Sequence, residues 1–162
     1  IKTAHYAGLV ETGCCPLRPG VIELLAAAKA RGQRLAIATT TSRGNIDALL
    51  SQVLGPNWAA GFDAIVAGDD VRHKKPAPDV YLETLARLKL GAVDCVAIED
   101  SPTGVRSAVA AGVPTLAVPH VVPVPEMAGD VHVDGRAGMT PAGLAALAAS
   151  GSVVGGDGDR QG

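Results

Sequence analysis

A chain of 162 residues is about one ordinary domain long, and its 48% hydrophobic content supplies a buried core and excludes wholesale disorder. With 14 basic residues against 16 acidic ones, a net charge of −2 and no basic run beyond His73-Lys74-Lys75, it lacks the electrostatic footprint of a nucleic-acid binder. Its longest apolar stretches are broken by Gly, Pro or Arg short of membrane-spanning length, so no membrane partner is expected.

The sequence opens on Ile1, which reads as a truncated or processed product, and no basic flank leads into an apolar segment as in a secretory signal. Cys14, Cys15 and Cys95 are an odd number of thiols, two of them adjacent, and so make no disulfide framework. A reduced cytoplasmic setting is expected, or an organelle stroma or matrix if a transit peptide preceded Ile1.

Strand-like apolar runs alternate with helix-like segments, the pattern of a parallel α/β sheet. The spacing predicts a helix over Pro19–Ala30, stopping at Gly32, then a buried strand over Arg34–Thr39. Ile46, Leu49, Leu50, Val53 and Leu54 recur at helical spacing up to Gly55. Trp58 and Phe62 anchor the loop before a second strand, Ala64–Ala67. A helix over Pro78–Leu90 carries Tyr81, Leu85 and Leu88 on one stripe, with Gly91 as its C-terminal cap. A third strand, Cys95–Ile98, is followed by a helix over Pro102–Ala111 and a fourth strand over Thr115–Val118. Val131-His132-Val133 reads as a short edge strand before an Asp134-Gly135 turn. Thr140-Pro141 opens a short Ala/Leu helix ending near Ala149, and residues 151–162 read as a disordered Gly/Asp-rich tail. His5, His73, His120 and His132 have no metal-ligand spacing.

Ligands in open α/β sheets sit at the carboxyl ends of the strands, and three of these ends are unusually polar. The first is Thr39-Thr40-Thr41-Ser42, where a hydroxyl and free amides can donate to phosphoryl oxygens; the plainer alternative is a loop capping the next helix. The second is Lys74-Lys75-Pro76-Ala77-Pro78-Asp79. Its prolines fix the direction of Lys75, which either offsets phosphate charge or is solvated, as Lys74 is expected to be. The third is Glu99-Asp100-Ser101-Pro102-Thr103-Gly104, whose adjacent carboxylates either hold Mg²⁺ or cap the following helix. Capping explains one acid and leaves the other without a role. Asp69-Asp70 is expected to shape the approach to Lys75.

The ordered set of Thr39, Lys75 before Pro-x-Pro, and Glu99-Asp100 resembles the haloacid dehalogenase superfamily from its second motif onward, over roughly residues 16–119. The Lys-Pro-Ala-Pro-Asp and Glu-Asp-Ser-Pro-x-Gly strings are those of its subfamily with a helical cap, which includes phosphoglycolate phosphatases and β-phosphoglucomutases. Lys2-Thr3-Ala4-His5-Tyr6, Pro16-Leu17-Arg18-Pro19-Gly20-Val21 and Ile37-Ala38-Thr39-Thr40-Thr41-Ser42 with Asn45 look most like xylulose-1,5-bisphosphate phosphatases of the CbbY type.

The resemblance implies a Rossmann-like parallel sheet and attack on a small sugar phosphate by an aspartate, through an aspartyl-phosphate that water hydrolyses. It implies that Thr39 binds phosphoryl oxygens, that Lys75 neutralises charge, and that Glu99 and Asp100 hold Mg²⁺. Thr40, through its amide, and Asn45 would add phosphate contacts. Arg18 would lie at the return from cap to core. It divides the chain into the end of a cap helix with its return linker (1–15), a partial α/β core (16–150) and the tail (151–162).

The family's first motif, an apolar strand ending Asp-x-Asp-Gly-Thr, is absent, and Val131-His132-Val133-Asp134-Gly135-Arg136 is no substitute. On the family's sheet order that strand is central, so two buried edges are expected to face a gap. The chain by itself is then expected to be inactive and marginally stable. Two other readings remain open: a β-phosphoglucomutase-like isomerase, and a non-catalytic module that binds phosphate or Mg²⁺. The sequence leaves the oligomeric state undefined.

Overall fold

A computed structural model describes residues 17–118 and the strand Asp130–His132. The expected cap remnant, the helix near Ala149 and the terminal tail lie outside the described residues. The elements in chain order are α1 (Val21–Ala30), β1 (Ala36–Ala38), α2 (Arg43–Leu54), a 3₁₀ turn (Trp58–Gly61), β2 (Ala64–Val66) and α3 (Asp79–Leu88). They continue with a second 3₁₀ turn (Ala92–Asp94), β3 (Ala97–Glu99), α4 (Pro102–Ala110), β4 (Thr115–Ala117) and β5 (Asp130–His132). No described helix is long and apolar enough to cross a membrane.

All strand pairs are parallel, as the alternation of elements predicts, but they fall into two sheets. One has the order β1-β2 and the other β3-β4-β5. Among the described residues, β1 and β3 therefore each end a sheet and are not paired with each other. A cavity of about 790 Å³ runs beside β1 and β3, enclosed also by Leu24 and Leu25 of α1 and by Leu85 and Leu88 of α3. In the middle of β3, Ile98 is 43% exposed, while Ala97 and Glu99 on either side of it are buried.

Helices cover both faces, which explains the near-continuous apolar character of the strands. On one face, Val66 of β2 and Ala97 of β3 pack with Val80 and Tyr81 of α3 and Ala108 of α4. Val66, Val80 and Ala108 are fully buried; burying a valine side chain contributes on the order of 1.5–3 kcal/mol. On the other face, Ile65 and Ala67 pack with Ile46 of α2 and with Trp58, whose ring meets Phe62 edge-on at 6.0 Å. The two aromatics thus anchor the loop before β2, as expected.

Element ends depart from the sequence reading for local reasons. The first helix begins two residues later than predicted, because Gly20 stands at φ 85°, outside helical backbone. The first strand is shorter than Arg34–Thr39, and only three residues pair with β2. The third run is shifted towards the acids. The Cys95 N–H closes the 3₁₀ turn on Ala92 O, while Glu99 O accepts from the Val118 N–H at 2.7 Å. Lys89, at φ 53°, and not Gly91, is the left-handed residue ending α3.

Candidate active site at the strand ends

The chain turns sharply after β1. The Thr39 N–H donates to Val66 O at 3.0 Å, which completes the ladder to β2. The Thr39 hydroxyl oxygen accepts from the Thr41 N–H at 3.1 Å, and its own proton stays available to a ligand. The turn is pinned against the end of β2 by Gly68, whose N–H donates to Thr41 O at 2.9 Å. A Cβ on Gly68 would stand 2.2 Å from Thr40 O, so only glycine permits this approach. Ser42 precedes α2 without a side-chain cap, so this loop is not a conventional helix cap. Half-buried Asn45 lies in the first turn of α2.

Lys75 enters from the loop before α3. Its peptide bond to Pro76 is cis. Ser107 of α4 holds the loop by donating to Ala77 O at 2.6 Å. The Lys75 side chain is only 11% exposed. It donates to Ala38 O of β1 at 3.0 Å, pairs with the Glu99 carboxylate of β3, and sits 5.0 Å from the centre of the Tyr81 ring. Lys74 is exposed, as expected. One cation thus ties the ends of two strands from different sheets.

The acid pair divides. Glu99 is 8% exposed, and its Oε1 accepts from both Lys75 and the Tyr81 hydroxyl. Asp100, the next residue, is exposed. Neither caps α4. Ser101 does so, its hydroxyl accepting from the Gly104 N–H at 3.2 Å, which removes the capping alternative for both acids. Burial pushes the Tyr81 hydroxyl pKa far above the usual phenol range, and the neighbouring negative charge of Glu99 pushes it further. Tyr81 is therefore a neutral hydrogen-bond donor throughout the physiological range.

One expectation needs correction. Asp69 and Asp70 do not reach Lys75. Asp69 accepts from the Arg43 N–H at 3.2 Å and Asp70 from the Ala67 N–H at 2.8 Å, so both shape the end of β2. Glu99 forms a buried ion pair with Lys75. Arg18 donates to Val118 O at 3.0 Å and fastens the chain before α1 to the end of β4. Tyr81 and Gly104 went unrecognised as parts of the site. Tyr81 was legible only as a member of an apolar stripe, although a tyrosine there needs a partner for its hydroxyl.

Among the described residues, no three His, Cys, Asp or Glu side chains gather as a metal-holding group. Magnesium takes one or two carboxylates beside waters and phosphate. Asp100 at the mouth of β3 fits that chemistry, and Glu99 joins it only by leaving Lys75. Burial raises the pKa of the Cys95 thiol, which keeps it protonated and argues against a nucleophile there.

A hydroxyl at one strand end, a buried lysine between strands, and an acid pair at another strand end thus meet at the carboxyl ends of a parallel α/β fold. A family model for haloacid dehalogenase-like hydrolases matches residues 3–112, and the chain belongs to that family. It is 55% identical over 119 residues to the plasmid-encoded protein CbbY of Cupriavidus necator, covering 74% of this chain and 47% of that protein. Two solved structures of CbbY from Rhodobacter sphaeroides are also similar. One, a mutant in complex with xylulose-(1,5)bisphosphate, has a TM-score of 0.69 at 43% identity, covering 74% of this chain and 53% of that one. The other, in complex with phosphate, has a TM-score of 0.80 at 39% identity, covering 88% and 65%. The chain spans about half the length of the curated relatives it matches.

Proposed function

We propose that the protein carrying these residues is a magnesium-dependent phosphatase for a small phosphorylated sugar of the xylulose-1,5-bisphosphate kind. The observation that carries the reading is the Lys75 ammonium, held between Ala38 O and Glu99 one residue from both Thr39 and Asp100. The likeness to CbbY solved with xylulose-(1,5)bisphosphate supports the substrate class.

The Thr39 hydroxyl donates to a phosphoryl oxygen, with the Thr40 amide and Asn45 adding contacts. Lys75 offsets charge on the transferring group. Asp100, with Glu99, holds Mg²⁺, which when bound neutralises part of the phosphate charge. In the intact enzyme a carboxylate oxygen of an aspartate attacks phosphorus, the bond to the sugar oxygen breaks, and that oxygen leaves with a proton. Water then hydrolyses the aspartyl-phosphate to carboxylate and inorganic phosphate. These 162 residues contain no Asp-x-Asp-Gly-Thr string, and the chain alone is proposed to be inactive.

The test is to purify the protein as it occurs in its source and assay it with xylulose-1,5-bisphosphate and with β-glucose 1-phosphate. Inorganic phosphate release that needs Mg²⁺ and stops on chelation is the expected result. Conversion of the hexose 1-phosphate to its 6-phosphate without phosphate release would replace the reading by an isomerase. Binding of phosphate with no turnover would make the protein a non-catalytic module.

A further inference from the structure

We infer that the Arg87–Asp70 ion pair stands in for a neighbouring strand along the outer edge of β2, and so keeps that edge from pairing with the same edge of a second copy of the chain.

The backbone decides which groups need cover. In a parallel ladder the N–H and C=O of one residue point to the same side, and successive residues alternate. The Thr39 N–H bonds Val66 O and the Gly68 N–H bonds Thr41 O, so Val66 and Gly68 face β1. Ile65 and Ala67 therefore turn their polar groups to the opposite edge, where no strand pairs with β2 among the described residues.

Side-chain groups take the places a strand would fill. Arg87, in the last turn of α3, donates to Ile65 O at 2.8 Å. The Asp70 carboxylate accepts from the Ala67 N–H at 2.8 Å, and the Asp70 N–H donates to Ala67 O at 3.1 Å. A parallel neighbour would present one residue whose N–H donates to Ile65 O and whose carbonyl accepts from the Ala67 N–H. Arg87 and Asp70 supply that same donor and that same acceptor, and the two side chains meet at 3.5 Å. Glu83, one turn earlier on α3, steadies the arginine by accepting from its Nε at 2.7 Å.

Nothing inside the strand protects it. Natural sheet edges are kept single by charged residues, proline or bulges. The run Ala64-Ile65-Val66-Ala67 has no charge and no proline, and its register with β1 is unbroken. All four side chains are buried on the two faces, so the backbone edge is what remains to attract a partner. Two such edges would meet antiparallel about a twofold axis, each satisfying the other. Arg87 and Asp70 are 38% and 34% exposed, and a pair so placed adds little to stability. Its value lies in what it excludes.

The experiment introduces Asp70→Ala, the Asp70→Ala/Arg87→Ala double change and Asp70→Asn into the protein as it occurs in its source. Sedimentation velocity follows the mass, and amide hydrogen exchange follows Ala67, over a range of concentrations. The first two variants are expected to double the native mass as concentration rises. Their Ala67 amide should exchange fast in dilute protein and slowly in concentrated protein. Asp70→Asn, whose amide oxygen still accepts from the Ala67 N–H, is expected to keep the native mass. A folded double variant of native mass at every concentration overturns the proposal. So does an association that leaves Ala67 exchanging fast, or one that Asp70→Asn shares in full. Should dichroism show the double variant unfolded, Asp70→Ala alone decides; loss of the fold in both overturns the proposal and makes the pair a structural tie.

Discussion

Glu99 and Gly104 fit against each other so closely that a Cβ on Gly104 would lie 1.8 Å from Glu99 Oε2 and 2.9 Å from Oε1. The contact sets the last side chain of β3 against the first turn of α4, five residues further on. It holds the carboxylate where Lys75 and Tyr81 both reach Oε1. The glycine of the Glu-Asp-Ser-Pro-x-Gly string thus serves the position of an acid, because no other residue leaves the carboxylate its space.

Replacing that glycine therefore forces Glu99 out of its seat. Gly104→Ala is expected to cost about 1–3 kcal/mol, the usual range for overpacking. Urea unfolding should show a lower midpoint with an unchanged slope. Wild-type stability in this variant would mean that Glu99 swings clear at little cost.

Lys75 and Glu99 are both nearly buried, at 11% and 8% exposure. Lys75→Met leaves a buried carboxylate without its cation and is expected to cost about 3–5 kcal/mol. Adding Glu99→Gln to that variant removes the stranded charge and should recover most of the loss. A double variant no more stable than the single one would show that the pair matters through packing alone.

Tyr81 gives an alkaline signature. Its folded-state pKa is raised, so its contribution to stability is fully present below the unfolded phenol value of about 10 and is lost as pH climbs above it. Unfolding midpoints measured from pH 8 to 11 should fall more steeply for the native chain than for Tyr81→Phe. At neutral pH that variant should be less stable by about 1.5–3 kcal/mol, the range for a hydrogen bond to a charged group. Parallel pH curves would remove Tyr81 as the cause.

In the intact enzyme, Thr39→Val removes the hydroxyl while keeping the branched shape. It is expected to lower kcat by about 10²–10³, as loss of one aimed donor does elsewhere. Asp100→Asn should instead raise the Mg²⁺ concentration needed for half-maximal rate. Steady-state kinetics across a Mg²⁺ titration separates the two. A Thr39→Val enzyme with native kcat would move the phosphate site away from β1.

Much of this was written in the chain. Apolar runs marked β1 to β4, because strands covered on both faces need no alternation, and the ordered polar strand ends placed Thr39, Lys75 and Asp100 in one region. Harder to read was which way each acid would point. Glu99 and Asp100 are adjacent on a strand and so face opposite directions, and only the packing of Tyr81 and Gly104 shows which of them is buried. The strand boundaries were blurred because apolar character runs past the residues that actually pair, as at Leu35 and Cys95. The left-handed turn at Lys89 escaped notice because a lysine carries no signal for positive φ when a glycine follows two residues later.

Helix α3 spans the seam between the sheets. Arg34, just before β1, donates to Leu88 O at 2.6 Å, and Arg87 donates to Ile65 O of β2 at 2.8 Å, so the helix is laced to the first sheet. Its Tyr81 hydroxyl reaches across to β3. Such a molecule resembles a book whose two covers share one binding. If the binding loosens, each cover keeps its own ladder, but Thr39 stays with one and Asp100 leaves with the other. Phosphate handling would then vanish while most of the secondary structure endured, and far-ultraviolet dichroism would be a poor witness to the health of this site.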